Sequence, residues 1–382
     1  MKNVLLLSAY HSASHKYWAD GLVNYFSDWN WSQETLAGRF FNWRVRGNSL
    51  TWGLGDYPSL SEPYDLIVAT SMVDLSALRG FRPNLATIPT VVYFHENQFA
   101  YPDNQLQQGL VEVQMTSIYS ALCANGIVFN SSFNEKTFFH GAKALLKKLP
   151  DGVPAGLIEQ LKQKSTVIPV PVGERPSTMG EGDAKSEVLN GLPLQVVWNH
   201  RWEWDKGPDR FLLLLQWLDD QGRMGDFKFH VLGASFRHSP KEFKQIKALL
   251  EGSNALGRWG YIEDFAEYQR VLSQSQLVLS TAIHDFQGLA MIEAARVGCI
   301  PIAPARMAYP QWFARECLYP SNIDDPIQEA RQLGEKLVSL LSTESEKTFV
   351  QLRQQTQDSL CMQLSWADLG PLYRKFFEKI SR

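Results

Sequence analysis

Short, wholly apolar runs alternate with longer amphipathic stretches, and this alternation constrains the chain more than any other feature. The runs at 4–9, 66–70, 91–95, 126–130 and 166–170 are apolar at nearly consecutive positions rather than at every second one. That is the pattern of strands covered on both faces. Helical periodicity fills the gaps at 17–29, 107–123 and 135–149. Strand, helix and strand in succession predict a parallel sheet flanked by helices. The pattern breaks after Pro169-Val170-Pro171-Val172, and the polar residues 173–193 read as a linker. A second series begins at Leu194, with strands predicted at 195–200, 227–232, 277–280 and 300–303. Its helices are expected at 208–221, 240–251, 265–273, 288–297 and 326–342. The expected architecture is α/β, with two Rossmann-like parallel-sheet domains, 1–172 and 194–363, facing a cleft. A closing helix within 364–382 is expected to return to the first domain. In such sheets ligands bind beyond the carboxyl ends of the strands.

With 382 residues and 45% hydrophobic content, the chain can bury two cores of ordinary size. The net charge is -3, and residues 1–172 hold thirteen Lys+Arg against thirteen Asp+Glu. A nucleic-acid partner would therefore need a local patch rather than a charged half of the molecule. The four cysteines, Cys123, Cys299, Cys317 and Cys361, show no metal or redox spacing and read as reduced thiols. The apolar start is too short for a signal peptide, and no run reaches the ~20 residues of a membrane span. A cytoplasmic monomer or weak oligomer is the expectation.

The chemistry concentrates where strands end. The strand at 277–280 runs into His284-Asp285-Phe286-Gln287-Gly288-Leu289-Ala290-Met291-Ile292-Glu293. Glu293 lies in an apolar helical run, where an ionised acid is costly without a polar partner. Arg201 leaves the strand at 195–200, and Lys206-Gly207 precede a helix opening at Pro208. Cations beside a helix N-terminus form an anion site, Arg as a fork and Lys as a point charge. A solvated cluster of ion pairs explains the same residues equally well when they are taken alone. Gly233 and Gly260-Tyr261 mark two further strand ends, either ordinary turns or the lining of a nucleotide base.

Taken together, Arg201-x4-Lys206-Gly207, Gly260-Tyr261 and Asp285-x7-Glu293 followed by Ala-x-x-x-Gly resemble the retaining glycosyltransferases of family four, with the GT-B fold. The resemblance implies that Arg201 and Lys206 bind the donor diphosphate, Glu293 the ribose, and Asp285 with Gly288 the transferred sugar. No metal and no cofactor are implied, and His95 corresponds to a histidine facing that sugar. The family usually carries Glu where this chain has Asp285, and its relatives an aromatic residue at Gln287. Paired glycines are also missing after the first strand.

The string Phe94-His95-Glu96-Asn97-Gln98-x-x-Tyr101-Pro102 is similar to one in the tRNA-queuosine mannosyltransferases. So are Ser14-His15-Lys16, Asn42-Trp43-Arg44-Val45-Arg46, Val128-Phe129-Asn130-Ser131-x-Phe133-Asn134 and Trp198-x-His200-Arg201-Trp202-Glu203. That likeness implies GDP-mannose as donor and queuosine-modified tRNA as acceptor. His15, Lys16, Trp43, Arg44, Arg46, Asn97 and Gln98 are the expected acceptor-side residues. Trp and Arg planes can stack unpaired bases, and Arg also holds phosphate. Lys143, Lys147 and Lys148 read either as a basic edge or as a solvated helix face. Two rival readings stay open: a GT-B transferase with another donor sugar or a lipid or small-molecule glycan acceptor, and a nucleotide-sugar-binding module without turnover.

Overall fold

The computed structural model describes residues 1–101, 110–173, 193–235, 239–341 and 345–382. The predicted linker at 173–193 falls almost wholly outside them, as do residues 107–109 of one predicted helix. The chain divides into two compact units, Met1–Pro171 with Ser365–Arg382, and Val172–Leu364. The change of unit coincides with the Pro169-Val170-Pro171 break, where proline removes donors and enforces extended backbone.

In the first unit the strands are β1 (Asn3–His11), β2 (Asn30–Ala37), β3 (Leu66–Thr70), β4 (Thr90–Phe94), β5 (Gly126–Phe129) and β6 (Ser165–Val167). They pair in parallel in the order β2-β1-β3-β4-β5-β6. The helices are α1 (Ala13–Tyr25), α2 (Phe41–Leu54), α3 (Leu75–Phe81), α4 (Leu110–Cys123), α5 (Ser132–Lys148) and α6 (Leu157–Gln163). Strands β3 and β4 are buried at every position, as their unbroken apolar runs require. β2 was not expected from the sequence. It is an edge strand whose residues Asn30-Trp31-Ser32-Gln33-Glu34-Thr35 are polar or only partly covered. The helix expected at 17–29 begins earlier, at Ala13, and stops at Tyr25, after which Trp29 and Trp31 pack on Phe26.

The second unit holds β7 (Leu194–Asn199), β8 (Phe227–Leu232), β9 (Leu256–Gly260), β10 (Leu277–Leu279), β11 (Ile300–Pro304) and β12 (Leu318–Tyr319). Their order, again all parallel, is β12-β11-β10-β7-β8-β9. Around them lie α7 (Pro208–Asp220), α8 (Glu242–Gly252), α9 (Phe265–Gln274), α10 (Leu289–Arg296), α11 (Tyr309–Trp312), α12 (Pro326–Ser339) and α13 (Ser345–Gln357). The chain steps outward from β7 to β9 and then returns to the other side of β7 as β10. The loops after β7 and β10 therefore leave in opposite directions, which opens a crevice at their shared end.

The last helix, α14 (Trp366–Ile380), belongs to the first unit. Ser365 and Asp368 close a capping box at its start. Tyr373, fully buried, donates to the Pro169 carbonyl at 3.0 Å and accepts from Trp18 Nε1 at 3.1 Å. The Arg374 guanidinium holds Asp28 through two bonds of 2.9 Å. Among the described residues no helix is long and apolar enough to cross a membrane.

Candidate functional site

The crevice between β7 and β10 gathers four of the predicted residues from loops some eighty positions apart. Lys206 ends a single 3-10 turn, and Gly207 then adopts φ +66°. A Cβ there would lie 2.1 Å from the Thr281 carbonyl oxygen, so only glycine lets the two loops touch. The Thr281 hydroxyl donates to the Lys206 carbonyl at 3.0 Å, and Ile283 and His284 amides donate to Asp205 O. The loops are thus stitched before any side-chain chemistry begins.

Lys206 is only 8% exposed. Its ammonium donates to the His284 carbonyl at 2.9 Å and lies 3.2 Å from Asp205 and 3.7 Å from Asp285. Burial alone would lower the ammonium's pKa, but Asp285 and Asp205 raise it above the ordinary lysine value. Asp285 is its counterpart. Burial pushes that carboxyl up, and Lys206, His200, His284 and the Gly288 amide together hold it below its usual value. The Gly288 amide reaches Asp285 Oδ1 at 3.0 Å, and the Tyr309 hydroxyl reaches Oδ2 at 3.3 Å. Gly288 sits at φ +79° as the N-cap of α10, with Tyr309 closing the space where a Cβ would stand. His200 and His284 are buried here, and desolvation pulls each imidazole down to about 4. They are neutral at pH 7. The strand-end cation is therefore Lys206, with Arg201 five residues before it. Arg201 is half exposed, with Nη1 2.9 Å from Glu203.

Glu293 lies one turn further into α10. Burial raises its carboxyl to about 7, partly opposed by the hydrogen bond from Tyr268. The Tyr268 hydroxyl donates to Glu293 Oε2 at 3.2 Å and accepts from Asn199 Nδ2 at 3.0 Å. Asn199 also donates to the Ala290 carbonyl at 2.9 Å, and its Oδ1 is buried without a partner. A half-ionised acid beside an orphaned amide oxygen forms a place for a ligand's hydroxyl donors. Asn199, Tyr268 and Tyr309 were not singled out in the sequence. They come from β7, α9 and α11, and nothing in their local sequence marks them.

Gly233 and Tyr261 have other surroundings. A Cβ on Gly233 would lie 1.9 Å from the His200 carbonyl, so this glycine serves the packing of two loops. Tyr261 follows β9 and is 67% exposed.

In the first unit His95 ends β4 and is 7% exposed. Its ring packs against His15 at 4.1 Å, Tyr93 at 4.6 Å and Trp18 at 4.7 Å between centroids. Neither ring nitrogen has a hydrogen-bond partner. Burial, helped by His15 and His11, holds the imidazole well below its ordinary pKa. The loop that carries it is fixed by three asparagines. Asn130 donates to the His95 carbonyl at 2.8 Å, and Asn134 to the Phe94 carbonyl and to Asn130 Oδ1, both at 2.8 Å. Asn97 donates to Asn134 Oδ1 at 2.8 Å and accepts from the Phe99 and Ala100 amides.

Asn97, expected on the acceptor side, is placed within this ladder. It is 1% exposed, and both ends of its amide are engaged inside the unit. Gln98 is 4% exposed, and its carbonyl accepts from Gln114. His15 is buried at the start of α1, with Nδ1 2.8 Å from the Ser12 hydroxyl. Lys16 is exposed and paired with Asp20 at 2.6 Å. Trp43, Arg44 and Arg46 lie on α2. Trp43 is 51% exposed rather than a core aromatic, Arg44 Nε reaches the Ala37 carbonyl at 3.3 Å, and Arg46 is tied to Asp74 at 2.8 Å.

Among the described residues, no group of three or more His, Cys, Asp or Glu is placed to hold a metal ion. Three comparisons bear on this arrangement. The N-terminal portion of tRNA-queuosine alpha-mannosyltransferases, taken as a family, matches residues 3–172. The tRNA-queuosine alpha-mannosyltransferase of Drosophila melanogaster is 32% identical over 320 residues, 83% of each protein. Among solved structures, sucrose-phosphate synthase from Thermosynechococcus elongatus superposes with a TM-score of 0.68 at 14% identity, over 99% of this chain and all of its own. The catalytic domain of Arabidopsis thaliana starch synthase IV, bound to ADP and acarbose, gives 0.66 at 12% identity over 100% and 99%. Anabaena HepE, with UDP and glucose, gives 0.65 at 13% over 99% and 100%. These structures share the GT-B fold with this chain, in two Rossmann-like units. The similarity to the Drosophila protein runs through both units, and the chain belongs to the tRNA-queuosine alpha-mannosyltransferase family.

Proposed function

We propose that the protein transfers mannose from GDP-mannose to the cyclopentene-diol of queuosine in tRNA, with retention of configuration and without a metal ion. The observation that carries this reading is the Lys206–Asp285 pair at the topological switch point of the second unit, with buried Glu293 further along the helix that follows, in a chain 32% identical to a tRNA-queuosine alpha-mannosyltransferase. Lys206 and Arg201 take the donor diphosphate, and Glu293 accepts from the ribose hydroxyls. Those donors supply what a buried carboxylate lacks and favour its ionised form. Asp285, oriented by the Gly288 amide and Tyr309, receives a hydroxyl of the transferred sugar. His95, neutral and with both ring nitrogens unpaired, is assigned to positioning that sugar.

In the reaction the bond between the anomeric carbon and the β-phosphate oxygen breaks. The two electrons leave with the diphosphate, where the fixed positive charge of Lys206 and Arg201 offsets the developing negative charge. The acceptor hydroxyl bonds to the same face of the sugar, and the leaving phosphate takes its proton. Screening sugar nucleotides with and without queuosine-modified tRNA tests this. GDP-mannose should be consumed only when the modified tRNA is present. Transfer to a lipid or a free glycan but not to tRNA would reject the acceptor, and tight donor binding with no turnover would reject catalysis altogether.

A further inference from the structure

We infer that the exposed face of α5 is a docking surface for the phosphate backbone of the RNA acceptor; this rests on the acceptor proposed above. Lys136, His140, Lys143 and Lys147 recur at the i, i+4, i+7 and i+11 positions of one helix and are all exposed. They form a single stripe spanning roughly 16 Å. Among the described residues none of the three lysines has an acidic partner. Lys143 and Lys147, four positions apart, repel each other at a cost to the helix of about 0.2–0.5 kcal/mol. Lys147 has a local reason, because it complements the carbonyl end of the helix. Lys136 and Lys143 have none.

Beside the stripe, Lys162 of α6 lies 5.6 Å from the Phe139 ring centroid. Lys136, His140, Lys143, Lys162 and the acids Glu135 and Glu159 line an open groove of about 490 Å³. One of those acids, Glu135, is engaged by the Ser165 hydroxyl. A groove edged by unpaired cations suits a chain of phosphates. No large apolar side chain on α5 is exposed, so the face lacks what a membrane-surface helix inserts into lipid. Its position fits the reaction as well. Asn134, two residues before Lys136, bonds the Phe94 carbonyl next to His95. A backbone held along α5 thus leads to the strand end that carries His95. The near-neutral charge of this half of the chain is no obstacle, because the cations are sorted onto one face.

The test compares the full-length protein with Lys136→Gln/Lys143→Gln/Lys147→Gln and the matching triple Glu variant. Binding to queuosine-modified tRNA is measured by anisotropy across a salt series, beside KM and kcat for transfer. All three sites are exposed, so unchanged thermal melting is expected and serves as the folding control. The Gln variant should reduce the slope of log affinity against log salt by about 2–3, one unit for each lost phosphate contact. KM for tRNA should rise at least about tenfold, more for the Glu variant, with kcat and donor affinity retained. Wild-type binding with an unchanged slope and KM in the variants overturns the docking surface. So does a wild-type protein that does not bind tRNA at low salt. Wild-type binding that is lost in the variants, without any transfer by the wild type, would leave the docking surface standing and remove the proposed function.

Discussion

At the scale of the residue, Glu293 offers the sharpest test. An acid raised to about 7 binds a proton in the folded state that the unfolded chain, near 4.5, has already released. Folding stability contributed by this group is therefore lost as pH rises from about 4.5 through 7. Glu293→Gln should be more stable than wild type by about 3 kcal/mol at pH 8 and equal to it at pH 4, read by denaturant melts. Affinity for GDP-mannose should move the other way, because the ribose favours the ionised carboxylate. Wild-type affinity should fall as pH drops from 8 to 6, and the Gln variant should be weaker and flat. His200 and His284 titrate near 4 and do not enter that window. Lys206→Ala should cost about 3–5 kcal/mol by thermal melting, because Asp205 and Asp285 lose their shared cation. It should also abolish measurable donor binding in calorimetry. Glu293 and Lys206 were legible because an acid in an apolar helix and a cation before a helix start are anomalies within a few residues of sequence. Tyr268, Asn199 and Tyr309 were not, since only the fold brings them to those acids. The bonds of Asn97 within its own loop were not legible either, because a polar side chain at a strand end looks alike whether it meets a ligand or ties down its own loop.

At the scale of the element, loops after strands carry the account. The Asn130–Asn134–Asn97 ladder fixes the β4 loop, and Asn134 is its centre. Asn134→Ala leaves the Phe94 carbonyl without that donor and Asn97 without that acceptor, and should cost about 2–3 kcal/mol. If the ladder positions His95, kcat should fall while affinity for the donor nucleotide stays near wild type. Equal loss of donor affinity would mean a general disturbance instead. Gly207→Ala places a Cβ against the Thr281 carbonyl at positive φ and should lower stability by at least about 2 kcal/mol, measured by urea melts. The central strands were legible because burial on both faces leaves an unbroken apolar run. Edge strand β2 was hidden by its polar residues, whereas β9 showed only its end, at Gly260, because two glycines and an exposed arginine break its apolar run. Helix α2 escaped because its apolar residues are spread around the axis, and α3, at seven residues, is too short to show a period.

At the scale of the whole molecule, two parallel six-stranded sheets place chemistry-bearing loops at the carboxyl ends of their strands. The topology was legible as two α/β series separated by a proline-rich break. The switch point itself was not, because strand order depends on which side of β7 the chain returns. With the order known, residues 201–206 and 285–293 share one crevice. The acceptor could not come from these physical arguments, since a diphosphate site is common to many transfers. It comes from membership in the family, which the Drosophila relative establishes across both units. Mass spectrometry of tRNA nucleosides after incubation with GDP-mannose tests the central claim most directly. Queuosine should be converted to a hexose-bearing nucleoside by the wild type and not by Lys206→Ala. Unconverted queuosine with folded wild-type protein that binds GDP-mannose, or conversion with another sugar nucleotide in place of GDP-mannose, would contradict the account.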